Sequence, residues 1–292
     1  MKIVHLSDIH VWRYTWNVGR LVGVRAWWML ALLRGRARQF QLERLDEVVA
    51  RVRSLDPDHV LITGDLTTSA LPDEFADAKR HLAPMIADRE RITILPGNHD
   101  RATRRSSTTN RFESAFGLYM PRLTFPWLRR LDDETAILGL DATRFHYTPR
   151  GRIPTAQLDQ ARALLTDAPG PPRRLIVASH YPIAAPPPYE RELAAKRLEN
   201  ADELAAWLAR VGPHIFCCGH VHAAWAFRPR GLPDQLCLNA GAPLYRDAAA
   251  LQPPGFLEID LDADRVKVVH QAWDGKEWKP IVMVDERVFG KA

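Results

Sequence analysis

The chain is poor in cysteine: Cys217, Cys218 and Cys237 are the only three in 292 residues. That is too few for the disulfide framework of a small secreted domain. Cys217 and Cys218 adjoin on a predicted strand, so their side chains should face opposite ways, as small core residues rather than a metal pair. No apolar run reaches the ~20 residues a membrane-spanning helix needs. The longest, Leu21 to Leu33, contains Arg25. The opening Met1-Lys2-Ile3-Val4-His5-Leu6 lacks the long apolar core and cleavage region of a secretory signal. These absences lead to the expectation of a soluble, cytoplasmic protein. Acidic residues are missing altogether between Val11 and Leu42, where six arginines fall: Arg13, Arg20, Arg25, Arg34, Arg36 and Arg38. The formal charge is +5, so the rest of the chain is close to neutral. The basic balance is local, and no nucleic-acid partner is expected.

With 46% hydrophobic and 26% charged residues, the chain can bury a sizeable core. Lys2–Ser7 is predicted as a strand. Apolar residues at 42, 45, 48, 49, 52 and 55 predict a helix within Gln39–Leu55. A strand over His59–Thr63 follows, then a helix opened by Pro72 and limited by Pro84, then a strand over Arg91–Leu95. This β-α-β-α-β order argues a largely parallel sheet. Later strands are predicted at Ala136–Leu140, Leu175–Ser179 and His214–Cys218. Helical spacing recurs at Leu158 to Leu165, and Asn200-Ala201-Asp202-Glu203 resembles a capping box before the next helix. The tail, Gln235–Asn239, Gly255–Leu261 and Arg265–Trp273, looks antiparallel. No repeat or linker appears, and Pro186-Pro187-Pro188 reads as a stiff loop. One domain over 1–292 is expected, with an insertion at about 11–38.

The chemistry gathers where predicted strands end. The first ends in Asp8-Ile9-His10, the second in Gly64-Asp65 and the third in Gly97-Asn98-His99-Asp100. Later ones end in His180 and in Gly219-His220-Val221-His222. Ligand sites in open α/β sheets lie beyond the carboxyl ends of strands, so five ends deliver Asp, His and Asn to one region. Glycines 64, 97 and 219 are expected to supply sharp turns there. Such a mixed set suits first-row divalent metals, and it is large enough for two, with one carboxylate between them. His5, His59 and His214 read as structural. His81 (helix), His146 (loop) and His270 (strand) have no motif context.

These five motifs, in this order over roughly residues 1–245, resemble those of the calcineurin-like metallophosphoesterases. The resemblance implies an α/β fold, a four-layer α/β/β/α sandwich of two mixed sheets. It implies two divalent cations (manganese, iron or zinc), one held by Asp8, His10, Asp65 and His222, the other by Asp65, Asn98, His180 and His220. A metal-bridging hydroxide would attack phosphorus. His99 would act as general acid or phosphate contact, and Asp100 would orient His99. Arg101, Arg104 and Arg105, with Arg111, would grip the anionic phosphate-ester substrate, and Arg191, Lys196 and Arg197 are weaker choices. Within the family, two branches fit: UDP-2,3-diacylglucosamine pyrophosphatases, which act on a lipid precursor, and cyclic-nucleotide phosphodiesterases. A non-catalytic metal-binding membrane adaptor is the alternative from another class.

The insertion holds Trp12, Tyr14, Trp16, Trp27 and Trp28 among its arginines. Trp with Arg beside an apolar helix is the composition of a membrane-interface element, which would make the protein peripheral to the inner face of the membrane. A lid over a lipid-bearing substrate, an ordinary packed insertion and a dimer contact are the other readings.

Overall fold

In a computed structural model, residues 1–21, 23–144, 149–167, 172–247 and 249–290 are described; His146 lies outside them. Twelve strands form two six-stranded sheets among the described residues. The first sheet is built on β1 (Lys2–Leu6), β2 (His59–Ile62) and β3 (Ile92–Ile94). They pair in parallel, as β-α-β-α-β order requires. β10 (Gly255–Asp262) pairs antiparallel with β1, and β11 (Arg265–Trp273) and β12 (Trp278–Arg287) extend the sheet from there. The second sheet runs β4 (Trp127–Arg130), β5 (Thr135–Gly139), β6 (Arg174–Ala178), β7 (His214–Cys218), β9 (Gln235–Ala240) and β8 (Ala224–Phe227).

Side-chain alternation sets the layers. In β1 and β2, Val4, Leu6, Val60 and Ile62 face one way, into a core closed by α2 (Leu45–Ser54) and α3 (Pro72–Leu82). Ile3 and Leu61 face the other way, against Ile137, Ile176, Ile215 and Cys217 of the second sheet. On that sheet's outer face, Leu175, Val177, Phe216 and Cys218 meet α6 (Thr155–Thr166) and α8 (Ala201–Leu208). The result is the expected helix, sheet, sheet, helix order. Cys217 and Cys218 do face opposite cores, and all three cysteines are free and buried.

The structure corrects the sequence reading in three places. Gln235–Ala240 is not part of an antiparallel tail: it pairs in parallel with β7 in the second sheet, while β10 crosses back to β1. Asn200 does not cap the following helix with its side chain. Its amide instead accepts from Ile153 N (3.1 Å) and donates to Ile153 O (2.9 Å), tying two loops together. The edge strands β4, β8 and β12 had no clear signal. β12 carries Pro280 and ends in the consecutive charges Asp285, Glu286 and Arg287, which an edge tolerates and which hide the strand pattern.

The insertion folds as a short 3₁₀ turn at Val18–Arg20, then α1 (Val24–Leu33), then a second turn at Arg36–Arg38. α1 buries Arg25, Trp28, Met29 and Leu32 against the body and leaves Trp27, Leu30 and Leu33 exposed. Arg13 and Arg20 pair with Asp77 and Asp73 of α3. Among the described residues no helix is long and apolar enough to cross a membrane.

Candidate metal centre

The loops after β1 and β2 run side by side: Asp8 N donates to Gly64 O (3.0 Å) and His10 N to Asp65 O (2.9 Å). Asp8, His10, Asp65, His220 and His222 all adopt left-handed backbone, with φ of 54°, 51°, 53°, 74° and 60°. Each such non-glycine residue costs on the order of 1 kcal/mol, and this strain turns their side chains inward from the strand ends. Of the three turn glycines, only Gly64 has positive φ (99°). Gly97 and Gly219 are needed for space instead. A Cβ on Gly97 would overlap the Asp65 carboxylate and backbone, and one on Gly219 would overlap Ser7 Oγ and Asp8 Oδ2.

Two groups of ligand atoms result, Asp8 with His10 and His222, and Asp65 with His180 and His220, each within 4.8 Å. His10 Nε2 lies 3.7 Å from Asp8 Oδ1 and 3.6 Å from Asp65 Oδ2. His222 Nε2 lies 3.1 Å from His10 Nε2 and 3.4 Å from Asp8 Oδ1. His180 Nε2 lies 3.3 Å from Asp65 Oδ2 and 3.0 Å from Asn98 Oδ1. Asp65 therefore stands between the two groups.

Each carboxylate divides its oxygens. Asp8 Oδ2 accepts from His220 N (2.8 Å), and Asp65 Oδ1 accepts from His99 N (2.8 Å). The other oxygens face the cluster, and Asp8 Oδ1 is buried without a hydrogen-bond partner. The imidazoles are also set from behind. His180 Nδ1 donates to Thr63 O (2.7 Å), and His220 Nε2 donates to Pro149 O (2.9 Å). Those bonds leave His180 Nε2 and His220 Nδ1 as lone-pair donors, the outer-shell pattern of metal-binding histidines. An orphaned carboxylate oxygen with imidazole nitrogens converging on it is a donor set that fits divalent cations.

The electrostatics agree. Burial pushes His10 down to about 3 and His220 well below its usual range, so both stay neutral as ligands must. Burial opposes the charge on Asp8, but the His10 and His222 imidazoles beside Oδ1 outweigh it and hold the carboxyl well below the usual range. Burial would also lower His180, but the charges of Asp65 and Asp8 outweigh it and raise His180 to about 9. A cation at His180 must displace that proton.

The structure brings all seven expected ligands together. His99 is buried beside them, grouped with His10 and Asp65. Its Nδ1 donates to Thr68 O (2.6 Å), and the Trp28 ring lies 4.9 Å away, tilted by 34°. Asp100 is placed differently from the expectation that it orients His99. Its carboxylate accepts from Gly97 N (3.0 Å), Leu66 N (3.2 Å), Thr67 N (2.9 Å) and Thr67 Oγ1 (2.9 Å). It splices the loop after β2 to the turn after β3.

The expected arginine grip also divides. Arg101 is spent on Glu113 (2.5 Å) and Asp141 (3.2 Å). Arg104, Arg105 and Arg111 line a separate cavity with the insertion. Lys196 pairs with Glu192 (2.6 Å), and Arg197 pairs with Asp202. The residues sequence reasoning missed are Trp28, Thr68 and Phe40. The Phe40 ring lies 4.6 Å from His10. Thr68 acts through its backbone carbonyl, which leaves no side-chain signal; Trp28 was visible only as composition. The structural histidines behave as expected: His5 bonds Thr63 Oγ1 (2.9 Å), His59 bonds Thr93 Oγ1 (2.8 Å) and His214 bonds Gln235 Oε1 (3.0 Å).

Gly97→Ala should test the need for space. The added methyl displaces the Asp65 carboxylate, so the variant should bind fewer metal ions per chain than wild type even where it stays folded. Metal analysis after gel filtration reads this out, and an unchanged metal content would mean the turn relaxes freely.

A double-sheet α/β sandwich thus carries an Asp/His/Asn cluster at five strand ends, a donor set suited to divalent cations. The chain belongs to the calcineurin-like phosphoesterase family, whose model matches residues 1–224. Among curated proteins it is 29% identical over 203 residues to a probable cyclic nucleotide phosphodiesterase of Rhodococcus erythropolis. That match covers 65% of this chain and 60% of the relative. A dimetal phosphatase from Danio rerio shares the fold at TM-score 0.62 and 15% identity, covering 97% of this chain and 99% of that one. A purple acid phosphatase from yellow lupin (Lupinus luteus) seeds does so at TM-score 0.64 and 13% identity, covering 97% and 53%.

Proposed function

We propose that the protein is a metal-dependent phosphodiesterase using two divalent cations, with Asp8, His10, Asp65 and His222 around one and Asp65, Asn98, His180 and His220 around the other. The observation that supports this best is Asp65 Oδ2, buried and facing both His10 and His180. Bound divalent cations supply an activated water near neutral pH and neutralise phosphoryl charge. The chain does the rest. Thr68 O holds the Nδ1–H of His99, so Nε2 is the nitrogen left to serve the leaving oxygen, and it must first take up a second proton, which burial of the ring opposes. Trp28 covers the His99 ring and excludes water from that side.

A cyclic nucleotide or a phosphodiester of similar size is the substrate this reading favours. A cavity of about 350 Å³ adjoins His222 and is lined by Tyr189, Tyr245 and Arg36, a setting for a ring and an anion, with Lys196 held by Glu192 at its edge. The named activity of the Rhodococcus relative is of the same class. One observation favours a second reading, a lipid-linked pyrophosphate at a membrane surface. Trp16 is 75% exposed and Trp27 65%, and both are in the insertion whose Trp28 reaches the centre.

Manganese-loaded protein should be assayed with 3′,5′-cyclic AMP, bis(p-nitrophenyl) phosphate and a UDP-linked diacyl sugar. Metal-dependent turnover of the first two supports the first reading, and turnover of the third alone supports the second. No turnover of any of them leaves the metal-binding adaptor. His99→Ala should cut kcat by about 10²-fold for substrates with an alkoxide leaving group. The loss should be much smaller for a p-nitrophenolate leaving group, which needs no proton. Equal losses on both would remove His99 from the acid role.

A further inference from the structure

The insertion and the loop after the third motif border a second cavity of about 590 Å³. Arg20, Arg25, Arg104, Arg105 and Arg111 line it, with Thr103. No metal-ligand residue lines it, and neither does His99. Among the described residues, Arg20 with Asp73 (2.9 Å) is the one ion pair these arginines make. Arg25, only 7% exposed, bonds carbonyls instead: Ser69 O at 2.9 Å and Ala70 O at 2.9 Å. Arg111 reaches the same Ala70 O at 2.8 Å. Two guanidinium groups thus share one neutral acceptor, with Arg105 beside them. The nearby Glu74 carboxylate is committed to Ser69 N, Ser69 Oγ and Leu71 N.

Burial and the neighbouring arginines push Arg25 down to about 10 and lower Arg111 as well. Guanidinium groups nevertheless stay charged near neutral pH, so with Asp73 and Glu74 as the nearby carboxylates the pocket holds an excess of positive charge on a partly buried surface. A phosphate group offsets such a cluster well, because guanidinium forks match its oxygens in pairs.

We propose that this cavity is a second anion site, distinct from the metal centre, which binds a phosphate group. Arg25 lies one helical turn before Trp28, and Ser69 follows the Thr68 carbonyl that holds His99. A phosphate here grips the insertion and the His99 loop together. Its source is either a soluble phosphorylated compound or a phospholipid headgroup.

The test uses manganese-loaded wild type and the double variant Arg104→Ala/Arg105→Ala. Both side chains are exposed, so folding should survive, and thermal melting checks this. Calorimetric titration with inorganic phosphate should find two sites per chain in wild type. The second should weaken about tenfold or more in the variant. Turnover of bis(p-nitrophenyl) phosphate should stay within about twofold; its absence in wild type would count against the proposed function, not against this site. Glycerol 3-phosphate and phosphatidylcholine vesicles with and without phosphatidic acid separate the sources. Arginine-dependent sedimentation with phosphatidic acid identifies a headgroup, and arginine-dependent glycerol 3-phosphate binding without sedimentation identifies a soluble ligand. Equal phosphate stoichiometry and affinity in wild type and variant overturn the proposal.

Discussion

Asp65→Asn should lower turnover by about 10³-fold or more and reduce the metal content from two ions per chain to one or fewer. Asp65 Oδ2 is the atom shared by the two groups, 3.6 Å from His10 Nε2 and 3.3 Å from His180 Nε2. Its Oδ1 is already taken by His99 N. An asparagine amide has one oxygen for two tasks. If the oxygen keeps the His99 N–H, an NH₂ group points at two imidazole lone pairs and at the cation positions. If it turns the other way, two N–H groups confront each other at the Gly97-Asn98-His99 turn. Both arrangements remove a negative charge that the two cations require. Metal analysis and assay with bis(p-nitrophenyl) phosphate check this together. Full activity with two ions retained would mean that Asp65 is not the shared ligand.

Asp100→Ala should destabilise the protein by about 3 kcal/mol or more, read as a lower urea midpoint. Three buried N–H groups, on Leu66, Thr67 and Gly97, would lose their acceptor, as would the Thr67 hydroxyl. Each orphaned donor costs on the order of 1 kcal/mol or more. Burial and the Asp65 charge push the Asp100 carboxyl up to about 6, yet the four donors retain it as an acceptor. A residue that merely oriented His99 would lower kcat and leave the unfolding midpoint in place. A large loss of stability is therefore the outcome that separates the splice from the orienting role. An unchanged midpoint would refute the splice.

Both predictions concern a site whose ligand identities were legible in the chain. Asp8, His10, Asp65, Asn98, His180, His220 and His222 could be picked out because strand-end motifs are local: a branched apolar run stops, and a polar group follows within three residues. The opposite facing of Cys217 and Cys218 was legible for the same reason, since neighbours on a strand point to opposite faces. Edge strands were less so. β12 meets solvent along much of its length, and its charges and Pro280 blur the alternation.

The arginines show the limit more sharply. Arg101, Arg104 and Arg105 look equivalent in sequence, but Arg101 closes a salt-bridge pair with Glu113 and Asp141 while the other two border the insertion's cavity. The insertion itself satisfied several compositional readings at once. It proves packed on one face and exposed on the other, with Trp28 on His99 and Trp27 toward solvent.

The sequence by itself determined which Asp, His and Asn residues would gather, at which strand ends, and that a parallel β-α-β-α-β unit would carry the first of them. Only the tertiary structure decided which oxygen of each carboxylate faces the cluster, which nitrogen of each imidazole is left with a lone pair, and what Asp100 holds. Those choices rest on His220 N at Asp8, 212 residues away in the chain, on Thr63 O at His180, 117 away, and on Thr67 at Asp100, 33 away. Hydrogen-bond partners set so far apart leave no periodic trace in a sequence, because they are fixed by how the two sheets pack rather than by any local preference of the chain.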